Sequence, residues 1–86
     1  MQRYEIVFAR TARKELEALP PTIVARILNQ VELLASNPRP SDSKKLHGHS
    51  SLWRIRVGVY RVIYIIDDNK NFVDVAIVRH RSDVYR

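Results

Sequence analysis

A chain of 86 residues, 45% hydrophobic with only two glycines, has the size and composition of one small folded domain and leaves no room for a second core. The absence of cysteine excludes disulfides and thiolate metal sites and points to a reducing compartment. No apolar run reaches membrane-spanning or secretory length, so a cytoplasmic protein without membrane contact is expected, and the net charge of +6 points to a polyanionic or acidic partner.

Tyr4, Ile6 and Phe8 alternate with Glu5 and Val7, which predicts a first strand. Ala12, Leu16 and Leu19 then fall on one stripe of a short helix, with Arg13, Lys14, Glu15 and Glu17 on its wet side. Pro20-Pro21 ends that helix, and Pro21 suits the first turn of the next. Ile23, Ile27, Val31 and Leu34, widened by Leu28 and Ala35, form a second stripe that Asn37-Pro38 stops.

Residues 37–51 are polar and rich in turn formers, and they read as a loop. Three strands follow at about 52–57, 60–66 and 72–79, joined by Gly58-Val59 and by Asp67-Asp68-Asn69-Lys70-Asn71. The order β-α-α-β-β-β predicts an α+β domain, with two N-terminal helices packed on one face of an antiparallel sheet.

Charge is concentrated rather than dispersed. Between residues 39 and 61, Arg39, Lys44, Lys45, Arg54, Arg56 and Arg61 face Asp42 as the only acid. Strand alternation sends Arg54 and Arg56 to one face and Trp53, Ile55 and Val57 to the other. Guanidinium groups on strand positions suit phosphate, because their planar forks grip its oxygens bidentately. Arg54, Arg56 and Arg61, with the Arg79–Arg81 segment, are expected to converge on a basic rim, while Trp53, Tyr60 and Tyr64 serve the core. No metal site is expected. His47 and His49 lack a third ligand at suitable spacing, and the run from Asp67 places Phe72 and Val78 where a calcium loop needs glycine and glutamate.

Several stretches together resemble the RelE-type toxins of the RelE/ParE superfamily from bacterial toxin–antitoxin modules. They are Tyr4-Glu5-Ile6-Val7-Phe8, Ala12-Arg13-Lys14-Glu15-Leu16 with Leu19-Pro20, Asn37-Pro38-Arg39-Pro40 and Lys44-Lys45-Leu46-His47-Gly48. Trp53-Arg54-Ile55-Arg56-Val57-Gly58, Tyr60-Arg61-Val62-Ile63-Tyr64 and His80-Arg81-Ser82-Asp83-Val84-Tyr85-Arg86 complete the likeness across nearly the whole chain. The resemblance implies a ribosome-dependent endoribonuclease that cuts messenger RNA in the ribosomal A site without metal or cofactor. The ribose 2′-hydroxyl attacks the adjacent phosphate and the 5′-oxygen leaves.

By the same resemblance, the catalytic positions fall on Arg54, Arg56, Arg61, Arg79, His80, Arg81 and Tyr85. Lys44, Lys45 and Arg39 are then candidates for contact with RNA or the ribosome. The best-known relatives carry lysines at the first-strand pair, where this chain has arginines. Arginine is not deprotonated at physiological pH, so Arg54 and Arg56 stabilise charge and proton transfer falls to His80 or Tyr85. The implied partners are a small acidic antitoxin that wraps the toxin, the ribosome with its message, and operator DNA reached only through the antitoxin. Two alternatives stand beside the nuclease: a ParE-like inhibitor of DNA gyrase, and a degenerate homologue that only binds antitoxin.

Overall fold

The computed structural model describes residues 3–46, 48 and 51–84. In chain order these form β1 (Glu5–Phe8), α1 (Arg10–Glu17), α2 (Pro21–Leu33), β2 (Lys44–Lys45), β3 (Leu52–Val57), β4 (Tyr60–Asp67), β5 (Phe72–His80) and α3 (Arg81–Val84). Helix α1 ends at the breaker the sequence places there, whereas α2 ends at Leu33, short of Asn37-Pro38. Helix α1 closes at Ala18 ahead of Pro20-Pro21, and α2 starts on Pro21, where a missing N–H leaves no bond unmade.

Helix α1 buries Ala12 and Leu16, and α2 buries Ile27 and Val31, with Leu34 and Ala35 buried just beyond it. Leu28, expected to widen the second stripe, is 41% exposed instead. The helices cover one face of the sheet. The core there comprises Ile55 and Val57 of β3, Val62, Tyr64 and Ile66 of β4, and Val73, Val75 and Val78 of β5, packed against the helical stripe. Burying each large aliphatic side chain stabilises the fold by about 1.5–3 kcal/mol before chain entropy is counted.

Strands β3, β4 and β5 form the expected antiparallel meander. Gly58 has a φ of 60°, which a two-residue hairpin with one left-handed central position requires. The whole sheet is mixed rather than antiparallel, in the order β1-β5-β4-β3-β2. Strand β1 runs parallel to β5, because the helical pair carries the chain away before the meander begins. Lys44 and Lys45, read as loop, form a two-residue edge strand against Arg54 and Trp53. Two lysines carry no hydrophobic period, so the sequence held no signal for that strand.

One irregularity re-phases β5. Ile63 pairs with Ile77, but Tyr64 pairs with Val75, which leaves Ala76 as an extra residue. Unbroken alternation from Val73 and Val75 would send Arg79 into the core face. The bulge turns Val78 inward instead and puts Ile77 and Arg79 on the open face, opposite the helices. No helix among the described residues is long and apolar enough to cross a membrane.

Candidate functional site

The pairing registers assemble the arginines on that open face. Arg56 of β3 stands opposite Arg61 of β4, and Arg61 stands opposite Arg79 of β5. One row therefore carries three guanidinium groups across three strands. The neighbouring row reads Lys44, Arg54, Ile63 and Ile77. Arg54 and Arg61 are each only 7% exposed, whereas Arg56 is exposed. Holding guanidinium groups in so confined a place costs several kcal/mol in desolvation, which their partners in the fold must offset.

Arg79 is fixed from outside the meander. Strand β1 ends its pairing with β5 at Val75, and Glu15 of α1 occupies the next stretch of that edge. Its Oε1 accepts the Val78 backbone N–H at 2.9 Å, and its Oε2 accepts Nε–H of Arg79 in an ion pair. Glu15 was assigned to the wet side of α1. Helical periodicity alone cannot tell a solvated carboxylate from one that closes a neighbouring strand.

At the upper end of the row, a cavity of about 420 Å³ is lined by Arg56, Gly58, Val59, Tyr60, Arg61, Arg81 and Ser82. The Arg81 backbone N–H donates to the Val59 carbonyl at 2.8 Å, tying the start of α3 to the hairpin. His80 is not on the arginine row. It pairs with Tyr60 on the helix side of the sheet, and the two rings meet edge to face with centroids 5.7 Å apart. His80 Nδ1 lies 2.9 Å from Ser82 Oγ and accepts the Ser82 N–H at 3.3 Å. Tyr85, His47 and His49 lie outside the described residues. Among the described residues, no three His, Asp or Glu side chains gather to hold a metal ion.

Arg39 is placed at the far end of the sheet, beside the β4–β5 turn. Its guanidinium pairs with Asp68 at 2.7 Å and lies 5.2 Å from the centre of the Trp53 ring. The Tyr4 hydroxyl donates to the same carboxylate at 2.7 Å. Hydrogen bonds from Arg39 and then Tyr4 hold the Asp68 carboxyl below its ordinary value, and the bond to Asp68 raises Tyr4. Lys44 adjoins Arg54, and Lys45 adjoins Trp53. Lys44 thus extends the basic surface that Arg39 does not reach.

Comparison with known proteins follows the same lines. The family described as ParE toxin of the type II toxin–antitoxin system parDE matches residues 6–85. Toxin RelG of Mycobacterium tuberculosis is 33% identical over 96% of this chain and 97% of its own length. The archaeal RelE–RelB complex from Pyrococcus horikoshii contains a chain that superposes with a TM-score of 0.82 at 28% identity, covering 93% of this chain and 97% of that one. A RelBE toxin–antitoxin complex from Mycobacterium tuberculosis gives 0.81 at 33% identity, covering 92% and 99%. Fold and sequence agree over more than nine-tenths of the chain: it belongs to the RelE/ParE superfamily and is a RelE-type toxin of a type II toxin–antitoxin system.

Proposed function

We propose that this toxin is a ribosome-dependent endoribonuclease that cuts messenger RNA in the decoding site. The observation that carries the reading is the Arg56–Arg61–Arg79 row running into the cavity at Tyr60. The 2′-oxygen of one ribose attacks the adjacent phosphorus, forming a cyclic phosphodiester as the bond to the 5′-oxygen breaks. Negative charge grows on the non-bridging oxygens, where Arg61, Arg56 and Arg81, which line the cavity, supply donors. Arg79, anchored by Glu15, completes the positive field. Arginine neither takes nor gives the proton, and His80 faces the helix side, so that work falls to Tyr85 or groups of the ribosome. A site built for charge stabilisation, with proton transfer shared, fits an enzyme that acts only when the ribosome positions its substrate.

The solved relatives from Pyrococcus horikoshii and Mycobacterium tuberculosis are toxin–antitoxin complexes, which supports a cognate antitoxin for this chain. An acidic antitoxin segment would neutralise the basic face in the cytoplasm, and operator DNA would be engaged through the antitoxin. The ParE description of the family favours a second reading, inhibition of DNA gyrase. Parallel assays separate the two. The nuclease reading expects cell-free translation of a reporter to stop while gyrase acts normally on supercoiled plasmid. Unimpaired translation with accumulated gyrase-cleaved plasmid would replace it with the second.

A further inference from the structure

The cavity at Tyr60 does not end at Arg56. Arg56 and Gly58 also line a second groove, of about 340 Å³, whose other walls are Val57 of β3 and Arg26, Asn29 and Gln30 of α2. Strand β2 pairs with β3 only at Trp53 and Arg54, so residues 55–57 run along the sheet edge beside α2. The groove wraps around that edge. The Arg26 guanidinium lies against Gly58, close enough that a Cβ there would touch its two terminal nitrogens at 3.4 Å and 3.7 Å, ordinary contact distances.

The charge in this groove is uncompensated. Among the described residues, Arg3, Arg39 and Arg79 each pair with a carboxylate, whereas Arg26 and Arg56 do not. The lining holds two guanidinium groups and two carboxamides, and no carboxylate. We propose that it is a second phosphodiester subsite, which holds single-stranded RNA next to the nucleotide in the Tyr60 cavity. The proposal rests on the reading of that cavity as an RNA site and extends it around the β3 edge. Two guanidinium forks suit phosphate oxygens, and Asn29 and Gln30 offer donors and acceptors to a ribose or a base edge. An acidic peptide would use the donors alone. Continuity through Arg56 and Gly58 suits a linear polymer with a phosphate on every unit.

The test is fluorescence anisotropy of a labelled oligouridylate of about twelve nucleotides, within the range such grooves bind, titrated across a potassium chloride series. The intact toxin is compared with Arg26→Gln, Asn29→Ala, Arg26→Lys and Arg13→Gln. Arg13 is an exposed arginine of α1 and lines neither cavity. Arg26→Gln is expected to weaken binding roughly five- to tenfold at low salt and to reduce the salt slope by about 0.7. Arg26→Lys recovers part of that loss, and Arg13→Gln changes affinity by less than about twofold. An effect of Arg26→Gln no larger than that of Arg13→Gln would overturn the subsite. So would a loss confined to competition by polyglutamate, which would assign the groove to an acidic protein. Ribosomal cleavage assayed in parallel keeps the two claims apart. Arg26-dependent RNA binding without any cleavage leaves the subsite standing and removes the nuclease reading. Cleavage and binding that are both indifferent to Arg26→Gln do the reverse.

Discussion

Arg56 and Arg61 stand directly opposite one another across β3 and β4, with Arg61 almost fully buried. Like charges on a directly opposed pair destabilise a sheet by about 0.2–1 kcal/mol. On the proposed function, a bound phosphate would relieve that repulsion. Arg56→Thr is therefore expected to raise the melting temperature by a few degrees, at about 4–8 °C per kcal/mol for a domain of this size, while weakening RNA binding. Calorimetry and oligonucleotide titration on the same preparation check it, and a fall in both quantities would contradict the trade-off.

Glu15 links α1 to the arginine row. Glu15→Gln keeps one acceptor oxygen where two are used, so it loses either the Val78 N–H or the Arg79 Nε–H. The expected cost is about 1–2 kcal/mol, with a larger fractional loss of cleavage than of stability because Arg79 is no longer held in place. Chemical denaturation beside single-turnover cleavage measures both. Cleavage that falls only as far as the folded fraction does would reduce Glu15 to a structural residue.

Tyr64 is fully buried, and its hydroxyl donates to the Pro38 carbonyl at 2.7 Å. Burial pushes its pKa up to about 12. Tyr64→Phe orphans that carbonyl and is expected to cost about 1–3 kcal/mol, with the activity of the folded fraction unchanged. In the intact protein the raised value contributes stability that is complete below the ordinary tyrosine pKa of 10.0 and lost as pH rises toward 12. A spectrophotometric titration should show one late-ionising tyrosine that disappears in the variant.

Asp68 gives the opposite sign. Its carboxyl is held below 3.8 by Arg39 and Tyr4, so the stability it adds is complete above that value and lost as pH falls through the lowered one. Asp68→Asn should lower the urea midpoint at neutral pH, and its gap from the wild type should close in acid. A gap that stays constant with pH would show that the contacts, not the charge, carry the effect.

Much of the fold was legible because its signals are local. Proline at Pro20-Pro21 and Pro38 punctuates the helices, and alternation marks the meander. The partner of β1 was not legible, since a four-residue strand carries no record of which edge it joins. The phase of β5 was hidden by the bulge at Ala76, and that phase decides that Arg79, not His80, shares the face of Arg61. The strand positions of Arg56 and Arg61 could be read from alternation, and the register then sets them opposite one another. Arg26 gave no such signal, because an exposed arginine on a helix looks like any solvated charge until the groove it shares with Arg56 is seen.

The central claim is that this basic row cuts messages on ribosomes. A primer-extension map of a reporter message in a reconstituted translation reaction tests it most directly, with wild type beside Arg61→Ala. Codon-phased cuts that need ribosomes are expected, falling by about 10²–10³ in rate in the variant, the cost of removing one oxyanion donor. An intact message with the wild-type toxin, or cuts indifferent to Arg61, would contradict it.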